Sequence, residues 1–301
     1  MSATEMPITT EATTILTSRV RASSLWRDAV RRLVRNRGAL GGLAILAILA
    51  LMAIAAPLIA PYDPNAIAPV SNLKGPSAAH LFGTDQFGRD ILSRIIFGAR
   101  LSFEVGFIAV GLAMVCGIVL GLVAGYFGHT VDAVITIVID IMLAFPGILL
   151  ALAIIAILGP SLYNLMIAVG ISGIPAYTRL VRGTTLAAKQ QAYVEAARVS
   201  GARDAAIMFR HILPNVLSPV IVLATLGIGS AILVGASLSF LGLGAKPPTP
   251  EWGAMLSAGR NYLSIAWWIT LFPGLAIMVT VLSINMVGDG LRDALDPRLK
   301  R

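Results

Sequence analysis

The chain has 301 residues, of which 57% are hydrophobic and only 13% charged. A soluble domain carries about a quarter charged residues, so this composition excludes an ordinary water-soluble fold. The single cysteine, Cys116, excludes a disulfide framework within the chain. His80, His129 and His211 lie far apart without Cys or His at ligand spacing, so neither a metal nor another cofactor is expected.

Taken in chain order, the first 20 or so residues are rich in Thr, Ser and Ala without periodicity and are expected to be disordered. Leu25, Trp26, Ala29, Val30, Leu33 and Val34 then recur at helical spacing, with Arg27, Arg31 and Arg35 on another face. This pattern predicts an amphipathic helix lying on the membrane surface, its arginines near anionic lipid. The segment 1–38 is therefore assigned to the cytoplasmic side, ahead of the first span.

Apolar runs near the ~20 residues that cross a bilayer predict an all-α, polytopic protein with six transmembrane helices. They cover 39–60, 101–126, 131–158, 162–178, 213–238 and 265–287. The first run lies too far from the N-terminus, and is too long, for a cleaved signal core. Assigning loops alternately puts 17 of the 23 Lys and Arg on one side, which takes the N-terminal segment, 179–212 and the tail 288–301. By the positive-inside rule both termini face the cytoplasm, and the loops 61–100 and 239–264 face outward. The net charge of +8 is thus a topology signal, and nucleic acid is not an expected partner. Tyr262, Trp267 and Trp268 fit an aromatic belt at the outer interface.

Within the core 101–287, the 179–212 loop stands out. Its Ala-rich stretch from Leu186 to Val199 suits a helix. Gly201 follows at a plausible helix stop, and a second helical piece, Arg203 to Arg210, leads to Pro214 at the start of the fifth span. The five alanines bury little area but leave the backbone approachable, which suits docking into a partner's groove as well as a solvated linker.

Two further clusters lie outside. In Phe82-Gly83-Thr84-Asp85 with Gly88-Arg89-Asp90, Thr84 or Asp85 is expected to cap a short helix running towards Arg100. Arg89 and Asp90 are left to contact a binding protein or a second subunit. Pro247-Pro248-Thr249-Pro250 cannot be helical in its interior; with Ser239–Ala245 before it and Trp252 after it, it is expected to form a re-entrant or cap-like outer gate. Asp140, the deepest acid, is a candidate pathway residue. The 18 apolar residues from Ile141 to Leu158 would nearly span the core without it, which places it near the cytoplasmic interface.

Glu195-Ala196-Ala197, Gly201 and Leu213-Pro214 resemble the EAA loop of ABC importer permeases, whose pattern is E-A-A-x(3)-G-x(9)-I-x-L-P. The chain departs from it at His211, where the pattern has Ile. His211 to Asn215 nevertheless matches the form found in the oligopeptide, dipeptide, nickel and glutathione branch. The two outer clusters resemble that branch too, as do Leu143 to Gly147, Gly288 to Asp293 and Leu295 to Pro297, so that the likeness covers residues 25 to 301.

The resemblance implies the type I importer permease fold, in a bacterial or archaeal inner membrane. It implies a second permease subunit, usually a different one, two cytoplasmic ATPase subunits and an extracytoplasmic solute-binding protein. Glu195, Ala196, Ala197, Gly201, His211 and Pro214 would carry the ATPase coupling, and the cargo would be a short peptide, glutathione or a nickel chelate.

The chain itself has no P-loop. Lys74, Lys189, Lys246 and Lys300 follow Leu, Ala, Ala and Leu rather than Gly, so no catalytic residue is assigned and ATP is left to a partner. Two rival readings follow from the residues. A gradient-driven secondary transporter would want polar groups at broken helices near the midplane, and the spans carry few. An intramembrane serine protease is suggested by Gly170-Ile171-Ser172-Gly173, but no histidine lies within another span to act as base.

Overall fold

A computed structural model describes residues 25–295. Among these residues there is no strand, only one isolated antiparallel bridge between Thr84 and Asp90. The first 20 residues, and Asp296 and Pro297 of the closing motif, lie outside the described residues.

The expected amphipathic segment is helix α1 (Leu25–Arg35), with Val30 and Val34 exposed. Asn36 breaks it and caps the next helix by accepting from Gly38 N (3.0 Å) and Ala39 N (3.2 Å). Helix α2 (Arg37–Ile54) is followed by one short turn, α3 (Ala56–Ile59), where Pro57 forces the break.

The second span begins ten residues earlier than expected. The short helix foreseen before Arg100 and the apolar run after it form one rod, α4 (Ile91–Phe127), 37 residues and about 55 Å long. The third run, expected as a single span, is broken. Helix α5 (His129–Leu143) and helix α6 (Gly147–Leu158) meet at 91°. Pro146 lacks the N–H that would continue the helix, and it disfavours helical backbone at Phe145. The apolar residues beyond Asp140 therefore do not form one straight path across the bilayer. Among the described residues five helices are long and apolar enough to cross a membrane, six if the bent pair counts as one span.

Helix α7 (Leu162–Lys189) is longer than the 162–178 run because its last three turns carry Arg179, Arg182 and Lys189. It lies along α4 on a glycine seam. A Cβ added at Gly117, Gly121 or Gly125 would come within 2.3, 2.6 and 2.8 Å of the Cβ atoms of Tyr177, Val181 and Thr185. Spacing of four residues puts all three glycines on one face, so the two backbones approach closely, as small residues allow inside membranes.

After helix α8 (Ala192–Val199), the turn α9 (Asp204–Ala206) and a π-helical turn, Ile207–Ile212, run without interruption into α10 (Leu213–Phe240). Helices α11 (Trp252–Gly259) and α12 (Trp268–Leu295) complete the described residues. One buried cluster joins α4, α7, α10 and the π turn through Val110, Leu165, Val181, Ile212 and Val216. A second joins α4, α11 and α12 through Ile91, Trp252 and Ile269.

Candidate coupling site and outer face

Of the residues expected to carry coupling, Glu195, Ala196 and Ala197 lie on α8, Gly201 follows it, His211 lies in the π turn and Pro214 in α10. Helix α8 is anchored by Val194, which is fully buried in the same cluster as Ile207 and Ile212. Gly201 stops the helix in the left-handed conformation, φ +79°, which a side chain with Cβ resists. Gly201 N donates to Arg198 O (3.0 Å) and Ala202 N to Ala197 O (3.1 Å), the double bond pattern that satisfies a helix's last carbonyls.

With Val194 turned inward, Tyr193, Glu195, Ala196 and Val199 are exposed, Val199 to 85%. Glu195 in the first turn and Arg198 in the last both suit the helix dipole. A Cβ at Gly201 would meet open space, so its role within this chain is conformational.

The platform beneath α8 is braced by residues that the sequence did not single out. Lys189 Nζ donates to Tyr126 O at 2.5 Å and lies 5.4 Å from the Tyr126 ring. The Tyr126 hydroxyl donates to the Asp204 carboxylate. Asn215 Nδ2 donates to His211 O (2.8 Å) and to Tyr193 Oη (3.1 Å), tying α10 to α8. His211 therefore contributes its carbonyl. Pro214 stands in the first turn of α10, directly after the π turn, where Leu213 N reaches back five residues to Met208 O. The widened turn fits the N–H that Pro214 lacks.

The other end of α4 carries the 82–90 and 247–252 clusters, and the cap expected of Thr84 or Asp85 belongs to Asp90. Its carboxylate accepts from Ser93 N (2.8 Å) and Ser93 Oγ (2.7 Å), and it pairs with His80 Nδ1 at 3.0 Å. Asp85 instead closes the turn before it, accepting from Phe87 N (2.8 Å) and Arg89 N (3.0 Å) and pairing with Arg89 Nε at 2.6 Å. Gly88, at φ +74°, is obligatory there, since a Cβ would lie 1.9 Å from Ala68 O.

Arg89 and Asp90 are buried, as is Trp252, whose indole donates to Ile95 O at 3.1 Å. They are structural members of this chain and offer almost no surface to another molecule. Pro247 and Pro248 are exposed. Arg94 ties the 61–90 loop to the proline-rich stretch by donating to Pro64 O (2.8 Å) and Pro248 O (3.1 Å).

The segment 239–245 forms no helix of its own. Ser239 and Phe240 finish α10, and Gly242 (φ +85°) closes it with Leu243 N donating to Leu238 O at 3.0 Å. Glu251 caps α11 through Gly253 N and Ala254 N, both at 2.9 Å, and burial pushes its carboxyl above the usual range. Of the expected aromatic belt, Trp267 is exposed. Trp268 is buried and donates to Thr84 O at 3.1 Å, locking the 61–90 loop onto α12.

Asp140 pairs with Arg179 Nη2 at 2.6 Å, both side chains more than half exposed. Asp132 receives a two-pronged bond from Arg182, with Arg182 Nη2 2.6 Å from Oδ2. Ser172, the serine of the protease-like pattern, donates to Val169 O in its own helix at 2.8 Å, as an ordinary helical serine does.

A polytopic helical bundle with an exposed, rigidly mounted helix at one end is the architecture of a transporter permease subunit. Residues 117–301 match the model of the binding-protein-dependent transport system inner membrane component, and residues 24–76 match the N-terminal transmembrane domain of oligopeptide transport permease C. The chain is 53% identical over 93% of its length, and 92% of the relative's, to the dipeptide transport system permease protein DppC of Alkalihalophilus pseudofirmus. It is 49% identical to the glutathione transport system permease protein GsiD of Pectobacterium atrosepticum, over 91% and 92% of the two chains.

Among solved structures, the inward-facing MetNI methionine ABC transporter superposes with a TM-score of 0.55 at 19% identity, covering 68% of this chain and 98% of that one. That likeness shows the fold alone. The chain belongs to the family of binding-protein-dependent transport system inner membrane components and is an ABC importer permease subunit.

Proposed function

We propose that this subunit forms half of an import pathway for short peptides, glutathione among them, and that separate cytoplasmic ATPase subunits drive it through α8. The exposed face of α8, held by the buried Val194 and the Gly201 stop, carries this reading. A short helix that turns outward on a braced platform transmits force to the rods on either side, α7 and α10, without deforming. Glu195 and Ala196 form the docking surface, with the half-buried Ala197 at its edge. Gly201, His211 and Pro214 set its geometry.

The cargo assignment rests on the dipeptide and glutathione permeases to which the chain is half identical. The absence of glycine before any lysine supports a separate ATPase. Both chain ends are placed in the cytoplasm, on the side holding 17 of the 23 Lys and Arg.

A second, different permease subunit completes the pathway. The open cleft of about 730 Å³ between α10 and α12, where Ser237 and Asn285 are the polar side chains, is the face assigned to it. The exposed Pro247 and Pro248 are the outer positions assigned to the solute-binding protein.

The test compares Gly201→Val and deletion of 190–205 with the unaltered subunit in cells. Both variants should insert in the membrane, yet lose peptide uptake and co-purification of the ATPase. Import by either variant at the unaltered rate would reject the docking assignment.

A further inference from the structure

Helix α5 is attached in an unusual way. Of its 15 residues only Ile139 is buried, while Val131, Val134, Ile137, Val138 and Ile141 are exposed. Apolar packing therefore holds it weakly. Its companion α6 is seated conventionally, with Ala151 and Ile155 fully buried. Helix α7, in contrast, is fixed to α4 along the glycine seam and leads within two residues into α8.

What ties α5 to α7 is polar. Asp132 meets Arg182 through both guanidinium nitrogens, and Asp140 meets Arg179. The pairs fall in reverse order along the two helices: the acid nearer the start of α5 takes the arginine nearer the end of α7. Arg179 and Arg182 are three residues apart and so share a face. A forked guanidinium–carboxylate bond also fixes orientation, which a point charge does not.

We propose that these two pairs form a ladder that makes the broken span move with the rod carrying α8, and that Asp132, Asp140, Arg179 and Arg182 are positioning residues for transport. The proposal rests on α8 being the coupling helix. Force entering at α8 passes up α7 and reaches α5 through the ladder, so the elbow at Phe145-Pro146 is displaced when α7 tilts. Without the ladder α7 still moves, ATP is still hydrolysed, and α5 lags behind.

The experiment uses the assembled complex in vesicles, with Asp132→Arg, Arg182→Asp and the Asp132→Arg/Arg182→Asp swap, and reads labelled dipeptide and glutathione imported per ATP hydrolysed. Each single reversal should lower that ratio about tenfold, and the swap should restore it to within about threefold, the size of coupling expected between contacting charges. A purely structural fault would lower uptake and ATPase activity together and leave the ratio unchanged.

A second readout needs no cargo. Spin labels on Val134→Cys and Ala187→Cys, in a Cys116→Ser background, report the α5–α7 distance with and without vanadate-trapped nucleotide. The distance should stay narrow in the parent and the swap and broaden in the single reversals. Unchanged ratios and narrow distances in the single reversals would overturn the ladder. Loss of uptake in the parent with narrow distances would instead reject the peptide cargo and leave the ladder standing.

Discussion

Replacing Gly201 separates backbone geometry from docking contact. The residue sits at φ +79° and its absent Cβ points into open space, so among the described residues a Cβ meets nothing within 4 Å beyond its chain neighbours. The cost is then conformational, about 1–2 kcal/mol for an L-residue in the left-handed region. Asparagine tolerates that region far better than alanine or a β-branched residue. Two bonds depend on the conformation, Gly201 N to Arg198 O and Ala202 N to Ala197 O; losing them frees the last turn of α8.

Gly201→Asn should therefore keep peptide-stimulated ATPase activity within about twofold of the parent. Gly201→Ala should lose roughly five- to tenfold, and Gly201→Val more, following the left-handed penalty. The assay is ATP hydrolysis by the reconstituted complex at matched permease content. If Asn proved as damaging as Val, the position would be closed by a partner's surface, and the backbone argument would be wrong.

Other substitutions probe the packing. Gly121→Ala places a methyl 2.6 Å from Val181 Cβ and 2.8 Å from Thr178 O, so thermal unfolding of the solubilised complex should show about 1–3 kcal/mol of destabilisation. Asp90→Ala removes the cap of α4 and should cost about 1 kcal/mol in the same measurement, more than Asp63→Ala, whose carboxylate serves only an exposed turn. Glu251 is a buried acid whose folded-state affinity for its proton is raised. The native state then holds more protons than the unfolded one, and stability falls as pH rises from the ordinary glutamate range through the raised value. A thermal-stability profile against pH should show that decline, and Glu251→Gln should lack it.

Much of the architecture was legible because lipid leaves few choices. An apolar run near 20 residues that crosses lipid satisfies its backbone as a helix, and all six runs hold described helix. The EAA-like residues were legible as a spacing, and Gly201 as a stop, because a helix end demands a left-handed residue whatever surrounds it.

The failures share a cause. The break at Phe145-Pro146 was hidden inside an apolar run, where composition stays uniform while geometry changes by 91°. Asp90 took the cap from Thr84 and Asp85 because the bridge between Thr84 and Asp90 folds the loop back on itself, a contact that spacing does not display. Trp268 reads as a belt residue by position, yet its indole has a carbonyl partner 184 residues away. The α5–α7 pairs were missed although their elements were visible: two acids in an otherwise apolar run, and two arginines three apart at the end of a later one.

The account depends most on energy arriving from outside this chain, through α8. Uptake of a labelled dipeptide into vesicles holding the complete complex, with ATP present and vanadate added, tests it most directly. Uptake should stop with vanadate and should be insensitive to collapsing the proton and sodium gradients. Accumulation that survives vanadate and disappears with the gradients would contradict it.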